Sequence, residues 1–118
     1  MRYVSTRGDA PELGFEEVLL KGLASDGGLY WPTSFPTLSA DQLRSFVDQP
    51  YVKVAAEVMY PFVEDCYTRA DWDALVADAY KNFDHAEVAP LRQIGAGEWL
   101  LELFHGPTLA FKDVAMQL

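Results

Sequence analysis

The residues of this sequence that could do chemistry lie close together near its end, around Lys112. A His-Gly-Pro-Thr-Leu stretch begins at His105, and Phe111 and Asp113 flank the lysine. The stretch joins a strand-like run to a helix-like run, and ligands of open α/β sheets gather at such connections. A lysine amine that loses its proton in a partly dehydrated pocket can form a Schiff base with a carbonyl compound. The residue types permit that chemistry, although a solvated Lys–Asp pair at a helix start is the more ordinary interpretation.

The loop between these two runs suits a close approach of backbone to another group. Gly106 has no side chain to hold the backbone away, and Pro107 fixes one backbone dihedral. Thr108 can cap the following helix or donate its hydroxyl group. We therefore expect a tight, well-defined loop immediately before the lysine.

A hairpin and a helix must position this loop. Residues 91–94 and 98–104 are strand-like runs on either side of Gly95-Ala-Gly97, a pattern that predicts a β-hairpin. The run that starts near residue 110 or 111 and continues to residue 118 predicts a helix, with Lys112 in its first turn.

Ahead of the hairpin, apolar residues recur at helical spacing in four segments. Ser39 with Gln42, and Thr68 with Asp71, predict capped helix starts, and Pro50 suits the first turn of a helix. Residues 3–6 predict a brief strand, and residues 29–32 an extended segment. The residues predicted to face inward are Phe15, Val18, Leu19, Gly22, Leu23, Leu43, Phe46, Val47, Tyr51, Ala55, Val58, Met59, Phe62, Trp72, Leu75, Val76, Ala79 and Phe83.

Composition excludes several classes of function. The chain has 118 residues, a formal net charge of −9 and half of its residues hydrophobic, so it can form a core but repels nucleic acid and anionic membranes. It contains no apolar run near the roughly 20 residues that cross a bilayer. Cys66 is the only cysteine, and nearby Glu64 and Asp65 predict a raised thiol pKa. We expect a cytoplasmic protein without an internal disulfide.

A metal site is not predicted. His85 and His105 are 20 residues apart, and with Cys66, Asp84 and Glu87 they match no compact zinc pattern.

Three segments resemble the threonine synthase family, in the order expected of it. Residues 102–113, Glu-Leu-Phe-His-Gly-Pro-Thr-Leu-Ala-Phe-Lys-Asp, resemble the lysine loop of that family. Residues 3–8 and 15–32 resemble its N-terminal stretch. The resemblance covers essentially the entire chain but only an N-terminal part of such an enzyme.

The resemblance implies an enzyme of the tryptophan-synthase-β fold type that converts O-phospho-L-homoserine and water to L-threonine and phosphate. Lys112 matches the catalytic lysine that holds pyridoxal 5′-phosphate as a Schiff base, the cofactor ring acting as an electron sink. Phe111 and Asp113 match cofactor-site positions that we expect to fix the loop. His105 and Thr108 match positions that we take as candidates for contact with the substrate.

The same resemblance completes the predicted architecture. The predicted fold class is α+β, with a mainly helical N-terminal domain and short strands over residues 1–87. Residues 88–118 form a C-terminal β-hairpin that leads into the first strand–loop–helix of an α/β cofactor domain. No glycine-rich loop of the Ser-Gly-Asp-Thr-Gly kind, which would hold the cofactor phosphate, occurs in the sequence. We therefore expect the 118-residue chain alone to bind no cofactor and to be inactive without the rest of the same enzyme chain.

Two other functions stay open. The chain could be a non-catalytic, acidic helical module that acts through protein association. It could also belong to a related pyridoxal-phosphate enzyme, a dehydratase or phosphate lyase, because the lysine loop does not choose between water addition and product release.

Overall fold

The structure, a computed structural model, describes all residues of the chain, 1–118. In chain order its elements are β1 (Tyr3–Ser5), α1 (Phe15–Lys21), β2 (Tyr30–Pro32), α2 (Ala40–Ser45), α3 (Tyr51–Val63), α4 (Arg69–Tyr80), β3 (Leu91–Gly95), β4 (Glu98–Leu101) and α5 (Asp113–Met116). The strands form two separate antiparallel pairs, β1–β2 and β3–β4. The chain is thus a small α+β domain with short antiparallel strands and five helices, which confirms the predicted class. None of the helices has both the length and the apolar character needed to cross a bilayer.

Local capping determines where α2 and α4 begin, as the sequence predicts. The Ser39 hydroxyl accepts a hydrogen bond from the Gln42 N–H at 3.2 Å, and the Gln42 side chain accepts one from the Ser39 N–H at 2.8 Å. The Thr68 oxygen accepts from the Asp71 N–H at 3.2 Å. These bonds satisfy amide groups that the first turn of a helix leaves without partners.

The core lies where α3 packs against α4. Its buried residues are Ala56, Val63, Trp72, Val76, Tyr80 and Val88. The Trp72 indole N–H donates to the Ala56 carbonyl at 3.1 Å, so this large ring is buried with its polar group satisfied. The Tyr3 hydroxyl donates to the Phe62 carbonyl at 2.8 Å, which ties the β1–β2 pair to the end of α3.

Some residues that the helical spacing predicts to face inward are exposed. The spacing locates an apolar face but does not say how much of it another element covers. Neither α1 nor α2 buries a single residue, and the buried apolar residues of the helices all lie on α3 and α4. The exposed residues are Leu19, Gly22, Leu23, Leu43, Val47, Val58 and Leu75.

The hairpin is confirmed, and its second strand is shorter than predicted. β3 and β4 pair from Leu91 opposite Leu101 to Gly95 opposite Glu98, so no residue of β3 remains to pair with residues 102–104. Gly97 has a φ of 77° in the connecting turn, a conformation that favours glycine.

The last helix begins later than predicted. α5 starts at Asp113, and Lys112 precedes it as the N-cap residue instead of lying in its first turn. Residues before it form tight turns, in which the Leu109 N–H donates to the Gly106 carbonyl and the Asp113 N–H to the Ala110 carbonyl, both at 3.0 Å.

Candidate functional site

The carboxylate of Asp113 closes the loop that contains Lys112. Its Oδ2 atom accepts a hydrogen bond from the Thr108 N–H at 2.8 Å, and its Oδ1 atom accepts one from the Thr108 hydroxyl at 2.8 Å. The side-chain amide of Gln117 donates a third at 3.2 Å. Asp113 is only 4% exposed, and its carboxylate holds the loop through these hydrogen bonds.

Hydrogen bonding also determines the charge of Asp113. Burial acts to raise the pKa of this carboxyl, but the bonds from Thr108 and Gln117 outweigh burial and lower the pKa below its ordinary value. Asp113 is therefore ionised at neutral pH. A carboxylate accepts stronger hydrogen bonds than a neutral acid, which strengthens the closure of the loop.

Gly106 lies where the loop backbone passes closest to Asp113. A Cβ atom added to Gly106 would overlap the Asp113 Cβ atom and would lie 2.5 Å from Oδ2. No side chain fits in that space without moving Asp113. The close backbone approach that the sequence predicts at this glycine is thus made to the aspartate.

Leu109 occupies a strained position in the same loop. Its φ is 61°, in the left-handed region, which costs a residue with a Cβ atom about 1–2 kcal/mol. Its side chain is 67% exposed. The turn closed by the Leu109 N–H and the Gly106 carbonyl holds this conformation.

Lys112 lies on this closed loop with its amine unpaired. The side chain is exposed, and none of the ion pairs in the chain includes it. The adjacent carboxylate of Asp113 bonds to Thr108 instead. The solvated Lys–Asp pair suggested by the bare sequence is therefore not formed. Phe111 is also at the surface, 66% exposed.

Two long-range hydrogen bonds fasten the loop and α5 to the helical part of the chain. The Tyr80 hydroxyl donates to the Val114 carbonyl at 2.8 Å, and the Asp84 N–H donates to the His105 carbonyl at 2.9 Å. Tyr80 is 5% exposed, and its burial raises its pKa to about 12. Sequence patterns do not identify this contact, because its partners are 34 positions apart and only the fold brings them together.

His105 begins the loop beside two groups that the sequence does not place near it. Its Nε2 atom lies 2.9 Å from Oε2 of Glu102. Its ring centroid is 5.0 Å from that of His85, although the two histidines are distant in sequence. No three His, Cys, Asp or Glu side chains come together in a group that could hold a metal ion.

Cys66 lies away from this loop and has the pKa direction that the sequence predicts. Partial loss of hydration, followed by the charges of Glu16 and Asp65, raises the pKa of the thiol. It is a free, exposed cysteine that stays protonated at neutral pH and is a weak nucleophile.

The loop fits one part of a pyridoxal-phosphate site. Lys112 offers a primary amine that no carboxylate of the chain pairs with, and the Asp113 closure keeps its backbone in place. The chain contributes no glycine-rich loop for the cofactor phosphate. The described residues thus fit the attachment point of the cofactor.

Comparison with known proteins identifies one family. A family model described as threonine synthase N terminus matches residues 2–80. Threonine synthase of Pseudomonas aeruginosa is 55% identical over 118 residues, which is 100% of this chain and 25% of that protein. A protein named threonine synthase-like 2 from Rattus norvegicus is 39% identical over 117 residues, covering 98% of this chain and 24% of that protein.

A solved structure shares the fold. The crystal structure of threonine synthase from Brucella melitensis with pyridoxal phosphate bound superposes with a TM-score of 0.94 at 54% identity. The match covers 98% of this chain and 25% of that one. The chain therefore spans about a quarter of the length of the relatives it matches.

Proposed function

Because the chain belongs to the family of threonine synthase N-terminal regions, we propose that it supplies the cofactor-bearing lysine of a threonine synthase. In the full-length protein, residues 1–87 form a mainly helical domain. Residues 88–118 begin the α/β domain that binds pyridoxal phosphate. The complete enzyme, a carbon–oxygen lyase, converts O-phospho-L-homoserine and water to L-threonine and phosphate.

One observation carries this proposal: the carboxylate next to Lys112 is bonded elsewhere. Asp113 accepts both of its short hydrogen bonds from Thr108, at 2.8 Å each, so the lysine amine next to it has no anionic partner. An amine in an ion pair with a carboxylate would have to break that pair before it could attack an aldehyde. The closure by Asp113 thus fixes the lysine backbone while leaving the Nζ atom available.

The residues of this chain would divide the work as follows. Lys112 Nζ would hold the cofactor and would accept and return protons at the substrate carbons. Asp113 and Thr108 fix the loop, and Phe111 fixes it further by packing its exposed ring in the full-length enzyme. The bound cofactor supplies an electron sink for negative charge that develops on the substrate carbons.

Turnover requires the rest of the same enzyme chain under this proposal. The sequence contains no glycine-rich loop for the cofactor phosphate, and we expect the partners of the phosphate and of the ring nitrogen in the rest of the enzyme chain. The fragment alone is therefore expected to be inactive, and the full-length protein is the correct object for every assay of function.

Visible absorption of the full-length protein tests the assignment of Lys112. The wild-type protein should show the visible band of lysine-bound pyridoxal phosphate, and Lys112→Ala should abolish it. Lys21→Ala is the matched control, because Lys21 is another exposed lysine without an ion-pair partner. A band that survives in Lys112→Ala would show that the cofactor is held elsewhere.

A product assay tests the reaction itself. The full-length protein supplied with O-phospho-L-homoserine should release threonine and phosphate in equal amounts. The chain is also similar to a threonine synthase-like protein, and the assay distinguishes a related lyase by its products. Release of 2-oxobutanoate, or of phosphate without threonine, would assign the chain to that alternative.

A further inference from the structure

Glu102 and His105 form a carboxylate–imidazole pair directly before the lysine loop. Glu102 Oε2 and His105 Nε2 are 2.9 Å apart, and their side chains are only 13% and 19% exposed. The other carboxylate oxygen of Glu102 lies 3.8 Å from the guanidinium of Arg92, which is 75% exposed and therefore a weak partner. A carboxylate so far withdrawn from water needs a good hydrogen bond, and His105 provides it.

The imidazole of His105 is held on several sides. Its ring lies next to the rings of Phe104 and His85, with centroids 4.7 Å and 5.0 Å away. The backbone carbonyl of His105 accepts from the Asp84 N–H at 2.9 Å. His85 is itself anchored, because its Nδ1 atom accepts from the Glu87 N–H at 3.1 Å. The ring of His105 therefore has little freedom to turn.

One ring nitrogen of His105 remains available. Its Nε2 atom faces Glu102, while its Nδ1 atom takes part in no hydrogen bond of the chain. The Tyr30 hydroxyl is the one fully buried side-chain polar atom that lacks a partner, so Nδ1 of His105 keeps some contact with solvent. An imidazole oriented by a carboxylate on one nitrogen and free on the other is suited to present that free nitrogen to a ligand.

We propose that Glu102 is a positioning residue, which holds His105 so that its Nδ1 atom forms a hydrogen bond with a polar group of the bound substrate. The inference rests on the proposed function, since it places the substrate beside the lysine loop. The segment that resembles the lysine loop begins at Glu102, but the resemblance gives this residue no role. Its role follows from the geometry of the pair and from the position of His105 next to Gly106, where the loop begins.

Two substitutions of His105 in the full-length protein separate the two nitrogens. A glutamine amide can reach the position of Nε2, whereas an asparagine amide reaches that of Nδ1. We expect His105→Gln to keep the contact with Glu102, the unfolding temperature and the cofactor band, but to lose about 10²-fold or more in kcat/KM. We expect His105→Asn to retain more activity than His105→Gln. Full activity of His105→Gln would overturn the proposal, because the Glu102 contact would then be all that matters.

Two substitutions of Glu102 test whether it positions His105. In Glu102→Gln, the amide oxygen can still accept the hydrogen bond from Nε2, so this conservative variant should keep most of the activity. Glu102→Ala should lose nearly as much kcat/KM as His105→Gln. Glu98→Ala, a change in the exposed hairpin, should leave kcat/KM unchanged. Wild-type kcat/KM in Glu102→Ala would contradict the positioning role.

Nitrogen NMR of the His105 ring supplies a readout that does not depend on turnover. Without cofactor or substrate, the wild-type ring should carry its proton on Nε2. Glu102→Ala should lose this preference for the Nε2–H tautomer. The same tautomer in both proteins would overturn the role of Glu102. In the cofactor-loaded protein, O-phospho-L-homoserine should shift the Nδ1 signal, and no shift on binding would overturn the substrate contact. A full-length protein that shows no cofactor band and forms no threonine would instead contradict the proposed function. The tautomer measurement would still test the role of Glu102 in that case.

Discussion

The α3–α4 core and the lysine loop are stabilised by different forces. The core consists of six buried apolar or aromatic residues, whose stability scales with the area and volume they fill. In the loop, by contrast, only Gly106 and the neighbouring Asp113 are buried, and hydrogen bonds to one carboxylate define its shape. The comparison indicates that the core will respond to lost volume, whereas the loop will respond to a single misplaced atom.

Truncation of Trp72 should have the largest effect on stability. This ring is 3% exposed and lies between α3 and α4, so Trp72→Ala should lower the free energy of unfolding by about 3–5 kcal/mol. Urea unfolding of the 118-residue chain measures this value. Trp31→Ala, at a tryptophan that is 56% exposed, should cost much less. Equal costs at the two positions would show that the core is not where the structure places it.

Addition of one methyl group to the loop, at Gly106, should have the second-largest effect on stability. Gly106→Ala should displace Asp113 and cost about 1–3 kcal/mol, with loss of the cofactor band in the full-length protein. Gly14→Ala is the control, because a Cβ atom there meets nothing closer than 3.5 Å. If Gly106→Ala bound cofactor normally, closure of the loop by Asp113 would not be required for the site.

Removal of the hydrogen bond between the α3–α4 core and α5 should have a smaller effect on stability. Tyr80→Phe removes the donor to the Val114 carbonyl and should cost about 0.5–1.5 kcal/mol, with faster amide exchange in α5. Tyr67→Phe is the matched control, because the Tyr67 ring packs on Trp72 while its hydroxyl makes no hydrogen bond. Unchanged exchange in α5 would show that Tyr80 does not hold this helix.

The pH dependence of the unfolding free energy should also show the contribution of Tyr80. The pKa of Tyr80 is raised from 10.0 to about 12 by burial, so the folded state retains the proton more tightly than the unfolded state. The contribution is complete below pH 10 and is lost as the pH rises toward about 12. The difference in unfolding free energy between wild type and Tyr80→Phe should therefore narrow in this interval, and a constant difference would contradict the assignment.

The surface ion pairs of the helical region should matter least. Arg69 donates two hydrogen bonds to Glu57, at 2.6 Å and 3.0 Å, and one to Asp73 at 2.8 Å, but it is 39% exposed. Arg69→Lys should cost about 0.2–1 kcal/mol, and added salt should reduce the difference. A cost that salt does not change would show that packing on Tyr60, and not charge, is responsible.

Sequence patterns predict the features whose causes are local. The helix starts at Ser39 and Thr68 depend on residues three positions away, and the β3–β4 hairpin depends on the turn between its strands. The resemblance to the lysine loop covers twelve consecutive residues, 102–113. These features could be predicted because short segments contain everything that determines them.

The remaining features depend on parts of the chain that only the fold brings together. Periodicity predicts that Leu19 and Leu75 face inward, yet both line an open apolar groove and are exposed. Tyr80 contacts α5, and His85 lies beside His105, because α4 ends where the loop begins. The two hydrogen bonds that Thr108 donates to Asp113 do not follow from the pattern either, since Thr108 could also have capped the helix.

The central claim is that Lys112 holds the cofactor, and chemical trapping tests it most directly. Borohydride reduction of the full-length protein fixes pyridoxal phosphate on the amine that holds it, and mass spectrometry of the resulting peptides locates the modified residue. The proposal predicts one modified lysine, Lys112, and no modification in Lys112→Ala. Modification of a different lysine, or none in a protein that forms threonine, would contradict it.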